Sequence, residues 1–471
     1  MKKLSELYNV DSDVLVKGIK MNSKQVEKGD LFICTMGVTV DRHDFIEEAI
    51  KNGAVAVVVS RDVKETNVPI IKVDDTNKEL PLLEAKFYDY PDKELTIIGI
   101  TGTNGKTTTA KIIKDLIGEN CAYIGSLGAI WKENVEPLRN TTPDSDVLYK
   151  YFRKFVDSGC NILVMETASE AFFRHRLDNI NFKISVLTNI TEDHLNIHKT
   201  LDNYISCKKE LFIKTSDICI LNSDDKHFKE INSGLKSKVL TYGKTGKDLK
   251  ITSINEGEKK TSFKVQLDKK EENFTIPLVG SFNVYNFSSC ILVMKELGYT
   301  VEDIKKRIKN IKLVEGRCEF IDKGQDFNIV LDYAHTPDAL DKILTYLNKI
   351  KKTKIITITG SAGGREKEKR GSMGKIVLEK SDYVIFTMDD PRYEDVNEII
   401  DDLVSISDKN NYERIIDRKE AIYKAFDTAK KDDIILIAGK GRDNYMAIKD
   451  EYLPYNDYDV ITSYFEKKNI L

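Results

Sequence analysis

Lys106 and Thr107 stand where an apolar run, Ile97-Ile98-Gly99-Ile100, gives way to the turn Thr101-Gly102-Thr103-Asn104-Gly105. A strand that stops at a glycine-rich turn and reopens as a helix presents backbone N–H groups and a helix N-terminus to an anion. A lysine at that point reaches the outer phosphates of a nucleotide, and the hydroxyl after it reaches Mg²⁺. The chemistry expected is the holding of a triphosphate, ATP or GTP. The spacing is tighter than in the general pattern, because Gly102 lies too close to Gly105 and Gly99 lies one residue too far.

Two further strand ends carry groups suited to the same anion. Ile162-Leu163-Val164-Met165 runs into Glu166, and Ser185-Val186-Leu187 leads through Thr188-Asn189-Ile190-Thr191-Glu192-Asp193 to His194. A carboxylate and an imidazole beside a phosphate loop fit Mg²⁺ held between protein and nucleotide. Alone, Glu166 could be a solvated strand end and His194 a structural histidine; together they point to metal. The stretch Tyr204-Ile205-Ser206-Cys207-Lys208-Lys209-Glu210-Leu211-Phe212 reads as a helix with solvated lysines, and its own chemistry does not mark Lys208.

Later, the same design recurs behind successive strands. It appears as Gly360-Ser361-Ala362-Gly363-Gly364-Arg365, as Asp389-Asp390-Pro391-Arg392 and as Gly439-Lys440-Gly441-Arg442-Asp443, with Asp332-Tyr333-Ala334-His335-Thr336-Pro337 before them. A guanidinium grips a carboxylate or phosphate through two parallel hydrogen bonds. Open parallel sheets bind ligands at the carboxyl ends of their strands. The repetition predicts one composite pocket. Singly, each arginine is a surface residue, and Arg365-Glu366-Lys367-Glu368-Lys369-Arg370 is a solvated helix start.

Parallel strands must position these residues. Short β-branched strands alternate with amphipathic helices through nearly the whole chain, which predicts an α/β fold with mostly parallel sheets. A length of 471 residues is that of about three domains. The segment 1–90 holds Asp30–Cys34, a helix near Phe45–Lys51, and Ala54–Val59; Tyr88-Asp89-Tyr90-Pro91-Asp92 reads as a linker. A phosphate-loop block follows over 91–314, in which the polar, alternating stretch Gly257–Asn273 reads as a surface hairpin. The last block, 315–471, carries strands Ile355–Thr359, Tyr383–Phe386 and Ile434–Ala438. A net charge of −3 excludes a basic nucleic-acid binder. No apolar run approaches the ~18 residues of a membrane helix, and no secretory h-region follows Lys2-Lys3. The seven scattered cysteines lack a Cys-x-x-Cys pair and are expected as reduced thiols of a cytoplasmic protein.

Taken in order, Thr101–Thr107, Asn140-Thr141-Thr142, Asp193-His194-Leu195, Lys208 with Leu211-Phe212, Gly280–Asn286, Gly316-Arg317, Asp332–Pro337, Asp390-Pro391-Arg392 and Gly439-Lys440-Gly441 resemble the signature segments of the Mur ligases. These are ATP-dependent enzymes that add amino acids to the peptidoglycan nucleotide precursor. The resemblance covers almost the whole length. It implies three domains: 1–90 for UDP, 91–314 as a central P-loop ATPase, and 315–471 as a Rossmann-like domain that brings the amino acid. It implies that Gly102, Thr103, Asn104, Gly105, Lys106, Thr107 and Thr108 hold the ATP phosphates, with Asn283 and Arg317 assisting and Asp332 near the ribose. It implies that Lys208 is carbamylated, an anion able to meet Mg²⁺ where an ammonium would repel it. Thr107, Glu166, His194 and the modified Lys208 would then surround the metal. Ser23, in Asn22-Ser23-Lys24 where the family usually has Asp-Ser-Arg, would meet uridine with His43 nearby. Thr141, Thr142 and Arg176 would contact the muramoyl dipeptide.

The members most similar to this chain extend UDP-MurNAc-L-Ala-D-Glu through an acyl phosphate that an amine then attacks; a cytoplasmic monomer is expected. Arg365 and Arg392 imply a second carboxylate on the incoming amino acid and favour meso-diaminopimelate, with Asp390, Gly439 and Asp443 completing the site. Four departures bear on what is joined to what. Asp390 replaces the usual Asn, Arg442-Asp443 replaces His-Glu, Ala168-Ser169-Glu170 replaces Ser-Ser-His, and Gly363-Gly364-Arg365 replaces Gly-Gly-Asp-Arg. Ligation of L-lysine or another amino acid, and a paralogue with a different acceptor, stay open. The uridine-site residues argue against a folylpolyglutamate synthetase. Intact Lys106, Glu166, His194 and Lys208 argue against a P-loop binding protein without ligase activity.

Overall fold

Strands that are apolar on both faces need helices above and below them, and three sheets in this chain meet that need. The computed structural model describes residues 1–37 and 40–468. Among these residues, a parallel sheet runs in the order Gly18–Lys20, Asp30–Ile33, Ala56–Val59, Ile70–Lys72. The central sheet has the phosphate-loop strand Thr96–Thr101 parallel to Ile162–Glu166 on one side and to Phe182–Leu187 on the other. The last sheet begins with an antiparallel edge, Glu319–Ile321. It continues in parallel through Asn328–Asp332, Ile434–Ala438, Ile355–Thr359, Tyr383–Phe386 and Tyr412–Arg414. The α/β reading therefore holds. No helix among the described residues is long and apolar enough to cross a membrane. Six of the seven cysteines are buried and all are free thiols, with Cys207 half-buried.

Two local readings need correction. The stretch 257–273 is more than a surface hairpin. Leu249–Glu256, Thr261–Leu267 and Lys270–Ile276 form an antiparallel meander that lengthens the central sheet. Its alternation is that of a half-buried surface: Phe263 and Phe274 turn inward onto Phe287 of helix Ser281–Glu296, at 6.0 and 5.8 Å between ring centroids. Nor is 88–92 a free linker. Asp89 and Tyr90 take left-handed backbone, and the turn Pro91–Lys93 buries Pro91 and Asp92.

The elements that carry the site are fixed by opposite faces of the phosphate-loop strand. Ile98 and Ile100 face Ile112, Ile113 and Leu116 of helix Lys106–Ile117. On the other face, Ile97 joins Leu211 and Phe212 of helix Leu201–Ile213. At Gly99 a Cβ would lie 2.6 Å from Leu211 Cδ1 and 2.7 Å from Phe182 Cδ1. The missing side chain lets helix Leu201–Ile213 come down onto the strand, which sets Lys208 beneath the loop.

Candidate active site

The phosphate loop is braced by the adjacent strand end. A Cβ at Gly102 would fall 1.9 Å from Thr188 Oγ1, so no larger residue fits. The Thr103 N–H donates to Asn189 O at 2.8 Å. Thr188 Oγ1 and Asn189 Nδ2 donate to Asn104 O at 2.6 and 2.9 Å. Lys106 Nζ folds back onto Gly102 O and Thr103 O, each at 2.9 Å. Burial draws its pKa down from the usual lysine range, against the pull of Glu166 and Asp193.

Glu166 is fully buried at its strand end. It accepts from Tyr123 Oη at 2.5 Å, from the Ser126 N–H at 2.9 Å and from Thr107 Oγ1 at 3.0 Å, all neutral donors. A buried carboxylate beside a hydroxyl, both oxygen donors at the mouth of the loop, fits Mg²⁺. That ion takes one or two protein oxygens and completes its shell with phosphates and water. Among the described residues, no group of three or more His, Cys, Asp or Glu side chains is arranged to hold a metal. His194 has left-handed backbone (φ 57°) and its Nε2 lies 3.5 Å from Asp193 Oδ2. Burial lowers its pKa, which favours the neutral ring that can ligate.

Lys208 overturns the reading of a solvated lysine. Its side chain is 1% exposed and its Nζ donates to Gly102 O at 2.9 Å, with the Tyr204 ring 4.4 Å away. Burial, and then Lys106, draw its pKa well down. A neutral amine is the form that adds CO₂, so the position suits a carbamate.

One cleft of about 1530 Å³ joins the central and C-terminal sheets. Lys106, Thr107, Glu166, His194, Asn283 and Arg317 line its floor. Arg317 Nη2 reaches Thr107 Oγ1 at 3.4 Å, and its guanidinium sits 4.3 Å from the Tyr333 ring centroid. Asp332 accepts the N–H groups of Cys318 and Ala334 at 2.6 and 2.7 Å. Asn283 Nδ2 is tied to Val279 O at 2.8 Å. Thr141, Thr142 and Arg176 line a further side. Arg176 pairs with Asp144 at 2.5 Å. The Thr142 hydroxyl donates to Glu166 O and accepts from the Ala168 N–H, each at 2.9 Å, so it braces the fold. Thr141 keeps a looser contact with Ser126 Oγ at 3.1 Å.

Arg365, Asp390, Arg392, Gly439 and Asp443 line the C-terminal wall. Asp390 and Arg392 flank Pro391 in left-handed backbone, φ 46° and 53°, a conformation that side-chain-bearing residues rarely adopt. Asp390 Oδ1 accepts from Lys440 Nζ at 2.7 Å and from the Ala447 N–H at 2.9 Å, while the Arg392 N–H donates to Ala447 O at 3.0 Å. Lys367 and Glu368 are exposed at a helix start, as the charged run suggests, but Arg370 is fully buried against Glu394 and Asp402, 2.8 Å each. Arg442 turns out of the cleft onto Glu319 and the Tyr458 ring. Among the described residues, Arg365 and Arg392 are left without an ion-pair partner beside these matched pairs. Burial pushes the Asp443 carboxyl up to about 6, helped by Asp389 and Asp390 and opposed by Lys440.

Ser23 and His43 do not line this cleft; they stand in the short turns Ser23–Gln25 and Arg42–Phe45 of the N-terminal segment. Ser23 Oγ donates to Glu48 at 2.5 Å. His43 Nε2 accepts the Ser60 N–H at 3.1 Å, which leaves Nδ1 to donate to Asp41 at 2.6 Å. Both are buried. Lys440, Asp389 and Lys369 stand inside motifs legible in the sequence, which give them no role of their own. The Gly439-Lys440-Gly441 segment marks Lys440 but not its pairing with Asp390. Nothing local signals Lys369, whose partner Asp193 is 176 positions away.

Three family profiles match the chain in succession. They are described as "Mur ligase family, catalytic domain" over 15–92, "Mur ligase middle domain" over 100–294, and "Mur ligase, glutamate ligase domain" over 316–441. A Clostridium perfringens protein named UDP-N-acetylmuramoyl-L-alanyl-D-glutamate--2,6-diaminopimelate ligase is 38% identical over 98% of both chains. A solved structure carrying the same name superposes with a TM-score of 0.69 at 27% identity, covering 99% of both chains. The MurF ligase of Thermotoga maritima in complex with ADP shares the fold, with a TM-score of 0.69 at 22% identity over 97% of this chain and 99% of that one.

Proposed function

The chain belongs to the Mur ligase family of ATP-dependent amide ligases, and from that premise we propose that it joins meso-diaminopimelate to UDP-MurNAc-L-Ala-D-Glu. One observation carries the reading: a single cleft is lined by the phosphate-loop lysine, by Thr141 and Arg176, and by Arg365 and Arg392, which have no ion-pair partner among the described residues. Residues 91–314 bind ATP, 315–471 deliver the amino acid, and 1–90 bind the uridine near Ser23 and His43. The enzyme works as a cytoplasmic monomer.

A carboxylate is a poor electrophile at neutral pH. Its oxygen attacks the γ-phosphorus of ATP, ADP leaves, and an acyl phosphate forms. The amine of the incoming amino acid then attacks the acyl carbon, a proton is lost, and phosphate is expelled. Lys106 and the loop N–H groups hold the phosphates as charge shifts among them, and Arg317 supports them from the C-terminal side. Mg²⁺, when bound at Thr107 and Glu166 with His194 and carbamylated Lys208, neutralises phosphate charge. Thr141 and Arg176 orient the acceptor. Arg365 and Arg392 take carboxylates of the amino acid, and Asp443 takes its distal ammonium.

Phosphate release and product mass, measured with UDP-MurNAc-L-Ala-D-Glu and a panel of amino acids, test this. Amide product with meso-diaminopimelate is expected. Product with L-lysine alone would overturn the specificity, and no amino-acid-dependent ADP from any member would overturn the reaction.

A further inference from the structure

One short segment, Arg365 to Lys369, touches both halves of the site. Arg365 belongs to the amino-acid wall. Its neighbour Glu366 accepts the N–H of Asn196 at 3.3 Å. Lys369 Nζ lies 3.2 Å from Asp193 Oδ1 and 3.4 Å from Glu366 Oε2. These contacts cross from the C-terminal domain to the loop that carries His194. The side chains of Asp193, Glu366 and Lys369 are only 9%, 7% and 13% exposed, so the bridge is largely sealed from water. The second oxygen of Asp193 faces His194 Nε2. A charge pair shielded in this way is weakly screened, and removing one partner leaves the other uncompensated.

We propose that Lys369 is a positioning residue that couples occupation of the amino-acid site to the placement of His194 in the closed cleft. The proposal rests on the ligase reading. A carboxylate on Arg365 stiffens the segment, Glu366 and Lys369 carry that order across the domain boundary, and Asp193 transmits it to the neighbouring imidazole. Misplacing a catalytic group by about 1 Å costs about 100-fold in rate, so the effect belongs in kcat.

Lys369→Met keeps the buried aliphatic stem and removes the charge. Its kcat is expected to fall about 100-fold, with the KM for ATP within about threefold of wild type. Lys369→Arg restores most of kcat. By small-angle scattering without ligands, Lys369→Met is a more extended particle than wild type, and Lys369→Arg is not. An unchanged kcat, a change confined to the amino-acid KM, or an arginine variant no better than methionine overturns the proposal. So does identical scattering from Lys369→Met and wild type, whether or not the enzyme turns over. Absence of turnover by wild type with every amino acid counts against the ligase reading alone.

Discussion

The two walls of the cleft handle charge in opposite ways. On the phosphate-loop wall the ionisable groups already have fixed partners. Lys106 holds two carbonyls, Lys208 holds one, and Glu166 accepts from three neutral donors. On the C-terminal wall, among the described residues, the guanidinium groups of Arg365 and Arg392 have neither a hydrogen-bond nor an ion-pair partner, while Asp389, Asp390 and Asp443 crowd the single ammonium of Lys440 at 3.9, 2.7 and 3.9 Å. Preorganised dipoles suit a phosphate whose charge is the same in every turnover. A wall with unmatched charges suits discrimination, because the wrong ligand leaves polar groups unpaired. On the proposed function, the reaction is set by one wall and the choice of amino acid by the other.

The hardest test of that division is to remove the loop lysine. Lys106→Ala is expected to lower kcat/KM by about 1000-fold or more, equally for every amino acid accepted. A shift in amino-acid preference measured alongside the rate would show that the walls do not divide the work. Lys208→Ala comes next, with a loss of about 100-fold in kcat. Its distinguishing sign is partial recovery on adding acetate or another short carboxylate, which can occupy the space of the proposed carbamate. Recovery that fails in a folded variant would leave Lys208 as a brace for Gly102.

The same contrast explains what the chain disclosed beforehand. The phosphate-loop wall was legible because its chemistry is local: Gly102 to Thr107 are consecutive, and Glu166 ends the strand paired with theirs. Strands Ile355–Thr359, Tyr383–Phe386 and Ile434–Ala438 were legible because buried parallel strands are short apolar runs. Lys208 was hidden because burial is a tertiary fact, made possible by the close approach at Gly99. The burial of Arg370 depends likewise on Glu394 and Asp402 from a later loop and helix. Which acid on the C-terminal wall stays open to a ligand was equally non-local, since Asp390 is occupied by Lys440, 50 positions on.

Arg392 sharpens the comparison from the other side. Arg392→Ala removes a charged hydrogen-bond donor, worth about 2–3 kcal/mol when its partner is a carboxylate. The KM for meso-diaminopimelate is expected to rise about 30- to 150-fold, with kcat nearly unchanged. L-lysine, which lacks the distal carboxylate, is expected to lose almost nothing. Steady-state kinetics with both amino acids decide it. Equal losses would move Arg392 from selection to general support of the strained Asp390-Pro391-Arg392 turn.

The smallest effect comes from Asp443, and it isolates the unmatched wall by pH alone. Burial raises this carboxyl to about 6, so it is ionised above that pH and neutral below it. Between pH 7 and pH 5 its charged fraction falls about tenfold. An ammonium on the amino acid keeps its charge over that window, so the attraction is lost from the protein's side. The KM for the diamino substrate should therefore rise about tenfold as pH falls. Asp443→Asn should start from the higher KM and stay flat. The KM for ATP, which depends on the other wall, should not follow the same curve. If Asp443→Asn keeps the wild-type pH profile, the titrating group lies elsewhere. If the ATP and amino-acid curves move together, the two walls are coupled in the ground state, and their contrast in charge does not separate reaction from choice.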